Sequence, residues 1–135
     1  MKCVAFRLRP GQLLKEEIER IAVEKNIEAG VLLAVVGAFQ KCRLRMAGAE
    51  PDNQPIREWN EPLEIVSGTG TISRAGCHIH LSVSDKDGNV FGGHLKDGCE
   101  VAITAEVVIG LLPNTEFRRT FDAETGWNEL DIRSL

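Results

Sequence analysis

The chain has 135 residues and a mass of 14.9 kDa, enough for a single domain over residues 1–135 whose core needs no covalent staple. Hydrophobic residues make up 43% and charged residues 27%, a balance that excludes a disordered chain. Sixteen basic against twenty acidic side chains leave a net charge of -4, which makes nucleic acid an unfavourable partner, and no apolar run is long enough for a membrane-spanning helix.

Residues 3–9 alternate, with Val4, Phe6 and Leu8 on one side and Cys3, Ala5, Arg7 and Arg9 on the other. That is a half-buried strand, ended by Pro10-Gly11. The segment has no unbroken apolar stretch of the kind a secretory signal requires. The four cysteines (Cys3, Cys42, Cys77 and Cys99) form no C-x-x-C pair, so they read as reduced thiols and the protein as cytoplasmic. Over residues 12–25 the period changes: Leu14, Ile18, Ile21 and Ala22 share one face of an amphipathic helix, with Asn26 as its C-terminal stop. Residues 31–38 are almost all apolar, as in a strand covered on both sides, and 41–46 alternate again. Residues 48–62 hold three of the five prolines and read as a long exposed loop. Further strands are expected at 63–75, 77–84, 90–96 and 100–112. The polar tail from Phe117 to Leu135 reads as loop, anchored by Phe121, Trp127 and Leu130. The class is α+β, a mixed, largely antiparallel β-sheet with one main helix packed on it.

All three histidines of the chain, His78, His80 and His94, fall on two of these strands. His78 and His80 are two apart and share a face. The turn decides where His94 goes. If Asp87-Gly88 alone formed the loop, His80 would face Leu95 and His94 would point to the other side of the sheet. If Lys86-Asp87-Gly88 form it, as a type I turn followed by a bulge with Gly88 left-handed, His80 faces His94 and His78 faces Lys96. The second register also gathers Ile79, Leu81, Val83, Phe91 and Leu95 on one apolar face, so it is the expected one. Three imidazoles on a polar sheet face are either solvated surface histidines or a metal site. Catalytic zinc takes three protein ligands and leaves a fourth position open, and Gly92 and Gly93 clear side-chain bulk beside the site.

The stretches FRLRPG (6–11), AGVLLAVVGA (29–38), PLEIVSGTGTIS (62–73), HIHLSVSD (78–85), DGNVFGGHL (87–95), TAEVVI (104–109) and TGWNEL (125–130) run through nearly the whole chain. In these the sequence resembles the plants-and-prokaryotes conserved (PPC) domain, in its stand-alone prokaryotic form. The resemblance implies a compact α+β fold assembled as a homotrimer. Plant members join the domain to AT-hook segments that bind DNA, and there it mediates self-association and partner contacts. This chain has no R-G-R-P core and no basic arm. The family's fold is also similar to that of acetolactate decarboxylase, whose zinc is held by three histidines, and by that analogy His78, His80 and His94 hold a zinc or another divalent metal.

Two further residues are catalytic candidates. Arg7 stands at the family's first-strand arginine, and a guanidinium forks onto a carboxylate substrate; the alternative is a surface ion pair. Glu106 lies among Ala105, Val107 and Val108. It is either a general base or an orienter of a ligating histidine, or the partner of Arg7 or Arg43. The run from Val101 to Leu112, apolar on both faces except at Thr104 and Glu106, suits a buried strand and, in part, a subunit interface. Three functions are thus in competition: a metal-binding trimer with a small-molecule or enzymatic site, a non-catalytic module that recruits protein partners, and direct DNA binding, which the charge disfavours.

Overall fold

Nine strands and one helix, placed after the first strand, make up the computed structural model, which describes residues 1–135. They are β1 (Cys3–Leu8), α1 (Leu14–Glu24), β2 (Gly30–Arg45), β3 (Ile56–Trp59), β4 (Leu63–Ser73), β5 (Gly76–Ser84), β6 (Val90–Leu95), β7 (Glu100–Leu111), β8 (Thr115–Phe121) and β9 (Asn128–Ser134). The main sheet runs β1-β7-β2-β4-β5-β6, with β3 on the side of β2. Its pairings are all antiparallel, so the mixed sheet expected from the sequence is replaced by a purely antiparallel one. Strand β2 is long enough to be used twice. Its first part pairs with β4 and β7, and its end returns to β6 through Leu44↔Leu95 and Arg45↔His94. The sheet therefore curls round until β6 meets β2.

Inside the curl lies one apolar cluster built from alternate residues of every strand of the sheet except β3. It includes Leu32, Val35 and Phe39 of β2, Ile79, Leu81 and Val83 of β5, Leu95 of β6, and Val101, Ala105, Val107 and Ile109 of β7. Helix α1 adds Leu14, Ile18 and Ala22 and buries Ile21 beside them, the face read from its period. The helix is short and supports the sheet more than it organises it. Its C-terminus is closed as a Schellman motif. Asn26 is left-handed (φ 50°), its N–H donates to Val23 O (3.1 Å), and the Ile27 N–H donates to Ala22 O (2.8 Å).

Three expectations need correction. The apolar run at 31–38 and the alternating run at 41–46 are one strand, because register shifts at Leu32/Ala34, Gly37/Ala38 and Phe39/Lys41 let β2 change its twist without ending. The presumed loop at 48–62 contains β3, which pairs with the outer end of β2 through Cys42↔Trp59 to Arg45↔Ile56. The tail is not a loop but a hairpin, with β8 and β9 paired from Thr115↔Ser134 to Phe121↔Asn128. Phe121 is 69% exposed and anchors nothing; Phe117, on the same strand, is the buried anchor, and the Ser73 hydroxyl donates to its carbonyl (3.0 Å).

Candidate metal centre

The hairpin β5–β6 fixes the site. Its strands pair from His80↔His94 to Ser84↔Val90, the register that the apolar pattern selects. The turn is held by one carboxylate. Asp85 Oδ1 accepts from the Asp87 and Asn89 N–H groups (2.9 Å each), and Oδ2 accepts from Asn89 Nδ2 (3.1 Å). These bonds, the Asn89 side chain first, hold the Asp85 carboxyl below its ordinary pKa. Gly88 at φ 81° supplies the left-handed step that the bulged turn requires. With this register, Ile79, Leu81 and Val83 enter the core and His78 and His80 point outward. Gly92 is a steric necessity: a Cβ there would stand 2.2 Å from Leu81 O.

Ring centroids of the three histidines are 4.7 to 5.4 Å apart. Nε2 of His78 lies 3.1 Å from Nε2 of His80, and one ligand nitrogen from each ring falls within 4.8 Å of the others. Burial, followed by the neighbouring His80, lowers the His78 pKa. Burial and then the Arg45 guanidinium push His94 down to about 3. Both rings are therefore neutral at pH 7, and each carries one ring-nitrogen lone pair of the kind a metal takes. Tetrahedral coordination with metal–nitrogen bonds of about 2.0–2.1 Å sets nitrogens about 3.3 Å apart, close to the spacing the His78–His80 pair already has. The donor set fits a divalent metal.

The surroundings come from parts of the chain that the sequence reading left out of the site. A cavity of about 360 Å³ next to His78 and His94 is lined by Arg45, Cys77, Arg119, Trp127 and Glu129, among others. A second cleft of about 370 Å³ lies across Arg45 and Trp127, against His80, Gly92 and Gly93. Arg45 Nη2 donates to Nδ1 of His94 (3.2 Å), and its Cζ is 4.7 Å from the centroid of the Trp127 ring. Arg119 Nη2 donates to Thr71 Oγ1 (3.0 Å), and Thr71 is the strand partner of His78. Burial pushes the Cys77 thiol up to about 12, so it faces the cavity protonated and is no thiolate nucleophile. Two signals in the sequence could have revealed this wall. Residues 115–121 and 128–134 are strand-length segments, and D-A-E-T-G between them is a turn with Gly126 left-handed.

Arg7 and Glu106 lie elsewhere. They are strand partners on β1 and β7, and β7 is separated from β5 by β2 and β4 in the sheet order. Neither lines a cavity next to the histidines. Glu106 is exposed and needs no buried partner. The ion pairs expected for it are not formed, since Arg43 pairs with Glu58 (3.2 Å) and Arg7 holds a bulge. Arg7 Nε donates to Thr104 Oγ1 (2.9 Å) and Nη2 to Ile103 O (3.0 Å), at the register shift between Gly37 and Ala38. Ile103 there adopts φ 63°, rare for a β-branched residue, and its side chain is 71% exposed.

The family profile described as the Plants and Prokaryotes Conserved (PCC) domain matches residues 1–113. The structure of a hypothetical protein from Salmonella enterica is similar with a TM-score of 0.91 at 34% identity, over 98% of this chain and 94% of that one. A metal-containing protein from Archaeoglobus fulgidus is similar with a TM-score of 0.83 at 32% identity, over 97% of this chain and 94% of that one. A bifunctional protein GlmU from a Synechococcus strain is 39% identical over 135 residues, all of this chain but 21% of its own length. The chain thus spans about a fifth of the length of the curated relatives it matches.

Proposed function

The chain belongs to the Plants and Prokaryotes Conserved domain family, and from that premise we propose that it is a metal-binding protein. His78, His80 and His94 hold a divalent ion, zinc in this reading, beside a cavity that takes a small-molecule ligand or substrate. The observation that carries this is the convergence of three imidazoles with ligand nitrogens within 4.8 Å of one another. The related Archaeoglobus protein, described as metal-containing, supports it. Imidazole nitrogens suit zinc, copper, nickel and iron, and an all-histidine set with room for a fourth ligand is the open arrangement of catalytic zinc. A metal bound there supplies Lewis acidity, polarising a carbonyl or lowering the pKa of a water. The chain's own part is to keep His78 and His94 neutral, to fix the hairpin register through Asp85, and to wall the site with Arg45, Arg119 and Trp127. Elemental analysis of purified protein tests this, with close to one metal per chain expected in the wild type and none in His80→Ala. Sub-stoichiometric metal in both would overturn it.

The assembly is a homotrimer in this reading. Its support, beyond the resemblance, is the outer face of β1, β7, β2 and β4, where Leu33 is 46%, Val36 54%, Val66 52% and Ile103 71% exposed; such a face is normally covered. The catalytic roles of Arg7 and Glu106 then belong to the assembly, because only a second copy can carry that face to a set of histidines. Arg7→Ala and Glu106→Ala test this: loss of turnover with unchanged metal content supports it, and unchanged turnover removes it. No helix is long and apolar enough to cross a membrane, and all four cysteines are free thiols, in keeping with a cytoplasmic location.

The same apolar face supports a second reading, a non-catalytic module that self-associates and recruits protein partners. A monomer in analytical ultracentrifugation would remove both this reading and the trimer. DNA binding is motivated only by the family's plant members and is opposed by the net charge of -4, so a gel shift at moderate salt is expected to show no complex.

A further inference from the structure

We infer that Arg45 and Arg119 form a two-guanidinium clamp for the oxyanion group of a small metabolite, a carboxylate or a phosphoryl group, in the cavity next to the histidines, and that metal loading frees Arg45 to take it. The coupling rests on the metal-binding reading above; the clamp stands on its own geometry.

Arg45 ends β2 beside His94, and Arg119 sits in β8 above the strand partner of His78. Both line the same cavity of about 360 Å³, the size of a small-metabolite site. Neither makes an ion pair. Most of the other arginines do, with Glu17 and Glu24, Glu58, Glu28 and Glu116, or Asp131 as partners. The cavity's carboxylates do not supply the missing partners. Glu19 is bonded to Lys15, and Glu129, although it lines the wall, is within ion-pair distance of neither guanidinium. The two guanidiniums of the lining are thus balanced in formal charge by Glu19 and Glu129 but are paired with neither. Half-buried guanidiniums without a carboxylate, one of them stacked on Trp127, are what planar recognition of an oxyanion needs.

The coupling follows from proton inventory. A guanidinium only donates, so in its bond with Arg45 the Nδ1 of His94 must be the acceptor. A neutral imidazole has one lone pair and one N–H on its two nitrogens. If His94 binds a metal through Nδ1, the lone pair that Arg45 uses is gone. If it binds through Nε2, the proton moves to Nδ1 and two N–H groups face each other. Ligation through either nitrogen therefore ends the Arg45–His94 bond. The released Nη2 can then donate to an anion that also neighbours the metal, and the two cations no longer compete for one ring.

Isothermal titration of inorganic phosphate and of L-malate into the full chain, in metal-free and zinc-loaded forms, tests this, with metal content measured on the same samples. The two probes separate a phosphoryl from a carboxylate ligand. Saturable binding of at least one, with a Kd of about 1 mM or below, is expected. Arg45→Gln and Arg119→Gln should each weaken it by about tenfold or more while keeping the metal, and Arg57→Gln, an exposed arginine on β3, should not. Binding should be tighter in the zinc-loaded form, and Arg45→Gln should erase that difference. Metal bound without saturable binding of either anion, or arginine variants that bind as the wild type does, would overturn the clamp and leave the metal reading intact. Equal affinity with and without metal would overturn the coupling. Should the wild type take up no metal, the metal reading fails, and anion binding lost in both arginine variants would still support the clamp.

Discussion

The outer face of this sheet has two halves built from different strands by the same alternation, and they are chemically opposite. On β5 and β6 it carries His78, His80, Ser82 and His94, with Arg45, Arg119 and Trp127 brought over them. On β7 and β2, and where β4 adjoins β2, it carries Val31, Leu33, Val36, Val66 and Ile103, with nothing from the chain above them. The polar half gains a side wall from the C-terminal hairpin while His78 and His80 stay open to solvent; the apolar half gains no wall. Nitrogen donors on a register-fixed hairpin, open on one side, are prepared for a ligand that comes and goes. Bare valine, leucine and isoleucine are prepared for permanent burial. The two halves should therefore fail independently, one by losing a ligand and the other by losing an assembly.

The largest expected effect separates them directly. If the proposed metal and trimer both hold, chelation should empty the histidine half while the sedimentation coefficient stays that of the trimer; dissociation on chelation would join the halves into one device. The converse variant is Val36→Asp. It places a charge on the apolar half and should turn the proposed trimer into monomers, with metal content unchanged by elemental analysis. Next comes Gly92→Ala, within the polar half. Its Cβ would collide with Leu81 O at 2.2 Å, so the strands must part, at a cost of about 1–3 kcal/mol. Chemical denaturation should show that loss, and a competitive metal titration should show weaker binding, since His80 and His94 move apart with the strands.

The smallest effect is at the turn. The Asp85 carboxyl titrates below its ordinary value because the Asn89 side chain and two backbone N–H groups bond its charged form. A lowered carboxyl pKa means that the unfolded chain binds the proton first. The contribution is therefore present above about pH 3.9, the ordinary aspartate value, and is lost as the pH falls further. Asp85→Ala should flatten the acid limb of the stability curve and leave the neutral region only slightly lower. An unchanged acid limb would show that the turn holds its register without this carboxylate.

How much of this was legible in the sequence varies from one element to the next. The histidine hairpin was legible because its determinants are local: two apolar faces that must coincide, and a three-residue turn with glycine where the backbone is left-handed. The helical face was legible for the same reason. The C-terminal hairpin was not recognised. Its residues are mostly polar, and strand alternation gives no signal when neither face is strongly apolar. Strand β3 was hidden by the prolines around it.

Sequence by itself determined which residues share a strand face, where the chain turns, and that three histidines stand on one side of one hairpin; all are set within a few residues by backbone geometry and side-chain period. Tertiary structure alone decided that Arg45 and Arg119 join those histidines, that Glu106 lies in solvent beyond β2 and β4, and that Arg7 clamps a bulge instead of facing the histidines. These placements depend on how the sheet curls and where a distant hairpin docks. That is set by the packing of the whole core, and no short window of residues records it.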